Sequence, residues 1–97
     1  MRYSRLMWKH FSPMHPVEIL SEFDSAGWER RKVELFADGS FGFASRSESM
    51  GGSELALIPC PPDSDVVDER EFQISELSQV EFEAAWSRAR QALATAV

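Results

Sequence analysis

Residues 28–45, WERRKVELFADGSFGFAS, constrain the fold more than any other stretch of this chain. They read as a β-hairpin, two extended segments meeting at Ala37, Asp38 and Gly39. A two-residue Asp38-Gly39 loop pairs Phe36 with Phe41 and Glu34 with Phe43. A three-residue loop, with Gly39 left-handed and a bulge beside it, pairs Leu35 with Phe41 and Val33 with Phe43. Only the second gathers four apolar side chains on one face and leaves Arg30, Lys32 and Glu34 on the other. A one-residue slip buries those charges, at a cost far above that of a bulge. The bulged register is therefore predicted, and with it an antiparallel sheet buried on one face.

The rest of the chain has to supply a cover for that face within 97 residues, which is one domain's worth of sequence. No apolar run approaches the roughly 20 residues of a membrane span. Charges at Arg2, Arg5 and Lys9 interrupt the N-terminal stretch, so no secretory signal is indicated. One cysteine rules out an internal disulfide framework, and a cytoplasmic location is expected. The net charge of −6 lies in the second half: residues 1–50 hold seven basic and seven acidic side chains, residues 51–97 three and nine. An acidic chain repels phosphate backbones, so direct nucleic-acid binding is not expected, nor is membrane binding. A protein partner with a basic surface fits the charge better.

Taken in order, residues 2–10 alternate as a strand, with Leu6 and Trp8 expected inward and Tyr3, Arg5, Met7 and Lys9 outward. Two prolines make residues 11–16 a loop. Residues 17–23 alternate again; Val17, Ile19 and Phe23 are expected inward and Glu18, Leu20 and Glu22 outward. Residues 24–27 form a turn into the hairpin. The glycine-bearing segment 46–53 reads as a loop or bulged edge, and residues 54–58 as a short strand. Residues 59–62 are proline-rich, residues 63–71 acidic. Phe72, Gln73 and Ile74 have the alternation of a short strand or docking segment.

Ser78 and Glu81 make an S-x-x-E capping box in front of an apolar-periodic run. Phe82, Trp86, Ala89 and Leu93 recur at spacings of four, three and four, one stripe of a helix over about residues 79–95. That helix is expected across the inner sheet face, with Phe82 and Trp86 against Val33, Leu35, Phe41 and Phe43.

Residues suited to catalysis are sparse. His10 and His15 stand five apart, which matches no standard zinc spacing. Cys60 lies between prolines with no helix N-terminus predicted beside it to activate the thiol. No phosphate-loop, dinucleotide, zinc-protease or nucleophile-elbow motif is present. No catalytic residue, metal ligand or cofactor is assigned. Two features suit binding. One is the outer sheet face, where Tyr3, Arg5, Arg30, Lys32, Glu34 and Phe36 combine both charge signs with aromatic rings. The other is the acidic segment with Asp63, Asp65, Asp68, Glu69 and Glu71, whose spacing does not fit a calcium loop but suits docking to a basic surface.

Trp8-Lys9-His10, Ser21 to Asp24, Trp28 to Phe36 with Asp38-Gly39, Gly51-Gly52, Pro59 to Pro62 and Glu81 to Trp86 occur in an order that resembles a family of small, uncharacterised bacterial proteins known as a domain of unknown function. The run from Glu29 to Gly39 carries most of that resemblance, which extends from about residue 3 to residue 88. It implies a bacterial or phage origin and a stand-alone domain, and it transfers no catalytic residue.

The expected fold is α+β in a single domain, residues 1–97: a four- to five-stranded antiparallel meander over about 2–58, an acidic proline-containing loop at 59–71, and one C-terminal helix over about 79–95 on the inner face. The expected function is non-enzymatic: a small acidic protein-binding domain of the inhibitor or immunity type, docking a basic surface. The alternative is a small-ligand or minor enzymatic domain using a pocket of Trp8, His10, Glu22, Arg31 and Gly51-Gly52, although Glu22 and Arg31 fall on opposite faces in these registers. A homodimer paired through an edge strand is a third reading.

Overall fold

The hairpin turn closes as its apolar pattern requires. In the computed structural model, which describes residues 1–10, 15–51, 53–55 and 72–95, Gly39 sits at φ +87°. Its N–H donates to the Phe36 carbonyl at 3.0 Å, and the Phe36 N–H donates to Ser40 at 3.0 Å. Asp38 accepts from the Ser40 backbone at 2.9 Å, which fixes the turn from its side chain. The strands β3 (Glu29–Leu35) and β4 (Phe41–Ser45) consequently pair Leu35 with Phe41 and Val33 with Phe43, the bulged register.

Around this hairpin lie β1 (Arg2–Trp8), β2 (Glu18–Phe23), β5 (Ser49–Met50) and β6 (Phe72–Glu76), followed by α1 (Gln79–Thr95). The fold is α+β: one open antiparallel sheet of six strands, in the order β5-β4-β3-β2-β1-β6, with a single C-terminal helix. The first four strands form the expected meander, and β5 lies in the segment expected as a loop or bulged edge. The strand count is higher than expected because two short segments pair with edges that β4 and β1 would otherwise leave open. Ser49 and Met50 extend β4, and β6 adds to β1 on the far side, so the sheet does not stop near residue 58. Glu54 and Leu55 are not in a strand. The remainder of the strand expected over 54–58 and the loop expected over 59–71 lie outside the described residues.

The helix starts where the capping box places it. The Glu81 N–H donates to Ser78 Oγ at 3.1 Å, and the Ser78 N–H donates back to Glu81 Oε1 at 3.3 Å. Phe82, Trp86 and Ala89 are buried and Leu93 packs beside them. The helix lies chiefly over β4, then β3 and β2. Its aromatic rings meet Tyr3 (Phe82, centroids 5.3 Å apart) and Phe43 (Trp86, 5.2 Å, edge-on). With Leu20, Val33 and Leu77 these residues make up the core.

One expectation fails in an informative way. Tyr3, Arg5, Glu18, Leu20 and Glu22 were expected on the outer face; they lie on the inner one, toward the helix. Leu20 stands opposite Val33, and Val33 is fully buried beneath α1. Side chains alternate without exception along an unbulged strand, so Glu18 and Glu22 follow Leu20 inward, and Tyr3 and Arg5 follow through their pairing with Glu22 and Leu20. The alternation of residues 17–23 misled because both faces are covered there. Phe23, Ser21 and Glu29, all on the outer face, are buried as well.

Candidate functional site

Placing Glu22 inward obliges the fold to satisfy a carboxylate under the helix, since a buried charge left unpaired costs several kcal/mol. Arg31 lies directly opposite it on β3. Its Nε donates to Glu22 Oε1 at 2.8 Å and its Nη2 to Glu22 Oε2 at 2.7 Å, a two-pronged ion pair. Tyr3 Oη donates to Glu22 Oε2 at 2.9 Å from β1. From the helix, Glu83 takes the other side of the same guanidinium. The cation lies over two rings, 4.9 Å from the centroid of Phe82 and 5.1 Å from that of Trp86. Three strands and the helix thus meet at one charged cluster.

The electrostatics of this cluster favour holding over reacting. Arg31 keeps the Glu22 carboxyl below its ordinary range through the paired hydrogen bonds, against the opposing effect of burial, and Tyr3 adds to the lowering. Burial pushes the Tyr3 phenol up, and the hydrogen bond to Glu22 pushes it further. Arg31 is raised by Glu22 first and Glu83 after it. Each group therefore titrates farther from neutrality than it would in water, the opposite of what proton transfer near pH 7 requires. The expected opposition of Glu22 and Arg31 on separate faces is corrected: they share one face and bond to each other. Sequence reasoning missed this cluster, although the parity of the turn at residues 24–27 already put Glu22 and Arg31 on a common face.

The outer face is assembled differently. A bulge between Glu22 and Phe23 leaves Arg30 out of the pairing, and Arg30 turns to Asp24, whose carboxylate it meets at 2.8 Å. Lys32 pairs with Glu29 at 3.0 Å and donates to the Glu54 carbonyl at 2.9 Å. Ser53, itself buried, donates to Glu34. Residues 53–54 therefore lie against β3, and the charges expected to meet a partner there are already engaged. Phe36 is half-buried beside the turn. Arg5, on the inner face, is paired with Glu18 at 3.0 Å. Of the partner-binding residues expected on the sheet, Tyr3 is buried and Arg5, Arg30, Lys32 and Glu34 bond within the molecule. Asp63, Asp65, Asp68, Glu69 and Glu71 lie outside the described residues, as do Cys60 and Gly52.

The proposed pocket residues do not converge. Trp8, His10 and His15 cluster at one end of β1, with ring centroids 4.4, 5.4 and 6.0 Å apart, and His10 Nε2 lies 2.7 Å from the Pro16 carbonyl oxygen. Glu22 and Arg31 are at the opposite end of the sheet's pairing with β1 and on the other face. Gly51 is held by a close approach to the backbone of β4, where an added Cβ would lie 2.6 Å from the Phe41 carbonyl oxygen. A separate open cleft of about 370 Å³ runs between Trp28, Glu29, Arg30, Arg46 and Leu55. No group of three or more metal-ligating side chains occurs among the described residues. Among those residues, too, no helix is long and apolar enough to cross a membrane.

A family model with the description "Domain of unknown function (DUF6881)" matches residues 2–91. Comparison with curated proteins and with solved structures gave no match.

Proposed function

The chain belongs to the DUF6881 family of domains of unknown function, and within that family we propose that it acts as a non-enzymatic protein-binding domain that docks the basic surface of a partner, in the manner of a small inhibitor or immunity protein. One observation carries this reading. Among the described residues Arg5, Arg30, Arg31, Lys32 and Arg90 are each engaged by a carboxylate of the same molecule, which leaves fewer free cations to offset the acidic excess of a chain whose net charge is −6. An acidic field of this kind speeds encounter with a basic surface and disfavours nucleic acid. Asp63, Asp65, Asp68, Glu69 and Glu71 concentrate that charge in a segment joined directly to β6. With the sheet charges engaged internally, the acidic segment is the contact surface in this proposal, and the helix is structural.

The test is capture of the tagged chain's partner from host lysate at low and high salt, repeated with Asp63, Asp65, Asp68 and Glu69 reversed to Lys. One dominant partner, released by salt and lost on reversal, is the expected result. Capture unchanged by reversal would remove the segment from the interface. A second reading rests on the cleft between Trp28 and Arg46, whose indole (43% exposed) and Arg46 guanidinium suit a small planar anion. It takes precedence if no partner is captured at either salt and small anions quench the Trp28 fluorescence.

A further inference from the structure

We infer that two copies of this chain associate by pairing β6 with β6 across a twofold axis at Ile74, which joins the two sheets into one. The observation is the edge of β6, which pairs with no further strand among the described residues. The Trp8 N–H donates to Val17 beside β2, so the even-numbered residues of β1 turn their backbone groups toward β2. The Leu77 N–H donates to the Tyr3 carbonyl, so the odd-numbered ones turn toward β6. Arg5↔Ser75 and Met7↔Gln73 are then the hydrogen-bonded pairs. Phe72, Ile74 and Glu76 direct their N–H and C=O groups away from the sheet, at the end of the strand order.

Edges of this kind are normally blunted by proline, charged side chains (lysine above all), a bulge, brevity or a covering helix or loop; the one charge on β6 is Glu76, at its end. The opposite edge is blunted, since β5 has two residues. β6 has five, in an unbroken register with β1, and its sequence FQISE contains neither proline nor a basic residue. Gln73, Ile74, Ser75 and Glu76 are all exposed, Ile74 to 47%.

The occupant follows from self-complementarity. Outward-facing positions have to meet outward-facing positions, which restricts antiparallel registers to steps of two residues. The register centred on Ile74 is the one that uses all of them, pairing Ile74 with Ile74 and Phe72 with Glu76, and setting Gln73 opposite Ser75. No two like charges stand opposite one another. Ile74 also lies directly across from Leu6 of β1. The twofold therefore sets Leu6, Ile74 and their symmetry mates in one row on the outer face, an aliphatic ladder continuous across the junction. A strand from another protein would have to supply the same complementarity; the chain already contains it.

This inference stands independently of the docking reading, and its salt dependence has the opposite sign. Two acidic monomers repel each other, so added salt strengthens the dimer while it weakens capture of a basic partner. The test is light scattering of the purified chain across a concentration series at low and high salt. A concentration-dependent dimer, favoured by salt, is expected. Ile74→Lys should remain monomeric at every concentration while its near-ultraviolet tryptophan dichroism shows the core intact. In a Cys60→Ser background, Ile74→Cys should form a disulfide-linked dimer on mild oxidation, because hydrogen-bonded antiparallel partners lie roughly 5.5 Å apart at Cα. Ser75→Cys, opposite Gln73 in this register, should not. A wild-type chain that stays monomeric, an Ile74→Lys variant that still dimerises, or cross-linking at Ser75 in place of Ile74 would each overturn the inference.

Discussion

Glu22 keeps its charge inside the layer between sheet and helix because every direction it faces offers a donor. Arg31 supplies two hydrogen bonds and Tyr3 a third. Replacing Glu22 with Gln removes the charge and leaves the shape, so Arg31 loses its principal partner and retains Glu83. The expected loss of stability near neutral pH is about 3 kcal/mol, at the low end for breaking a buried pair because Glu83 remains. The pH dependence separates this from a packing effect. The Glu22 carboxyl is lowered in the folded state from its ordinary value of 4.5, so the stability it contributes is present above that value and is lost as pH falls through the lower folded value. Urea midpoints measured down through pH 4.5 should fall more steeply for the wild type than for Glu22→Gln. Parallel acid limbs would show that the pair carries no such linkage. Little of this cluster was legible in the sequence. Glu22 alternates with Glu18 along β2 and reads as the wet side of a strand; the register with β3, set by the turn at residues 24–27 and by Leu20 against Val33, reverses that reading.

The elements divide by how local their determinants are. The hairpin register, the left-handed Gly39 and the cap at Ser78 were all legible, because each depends on a few adjacent residues: a turn type that matches an apolar pattern, or a hydroxyl and a carboxylate three positions apart. The facing of β2 was not legible, because alternation identifies an inner face only when the other face is wet, and Phe23 and Ser21 are buried on the outer one. Two of the turn glycines test the same distinction. Gly39 and Gly51 both have positive φ, but a Cβ at Gly39 meets nothing within 4 Å, whereas one at Gly51 would lie 2.6 Å from the Phe41 carbonyl oxygen and 2.7 Å from Gly42 Cα. Gly39→Ala should cost only the backbone strain, roughly 1–2 kcal/mol. Gly51→Ala should cost more, because the loop carrying β5 has to move off β4. Thermal unfolding followed by circular dichroism ranks the two; equal losses would mean that the close approach at Gly51 relaxes freely.

At the scale of the molecule, the order of the strands in the sheet departs from their order in the chain at a single place. β1 to β5 are neighbours in both. β6 returns to β1, pairing Glu76 with Ser4, and no short-range signal in residues 72–76 could announce a partner that distant. This is why the sequence pointed to a strand there without its place in the sheet, while the α+β class and the helix over the hairpin were already visible in two periodicities. The same arrangement sets an order of assembly. Closing a span of about seventy residues costs about 3 kcal/mol more in chain entropy than closing the three-residue turn between β3 and β4, and that entropy has to be lost before the pairing rewards it. β6 therefore locks onto a sheet that has largely formed, on the native side of the folding barrier. Conservative substitutions at Gln73 or Ser75 should accelerate unfolding in stopped-flow measurements and leave the refolding rate nearly unchanged, whereas those at Val33 or Phe43 should slow refolding. The strand that closes the sheet is then also the first to come away, and the N-terminal strand it covers spends a fraction of its time with a free edge long before the rest of the molecule opens.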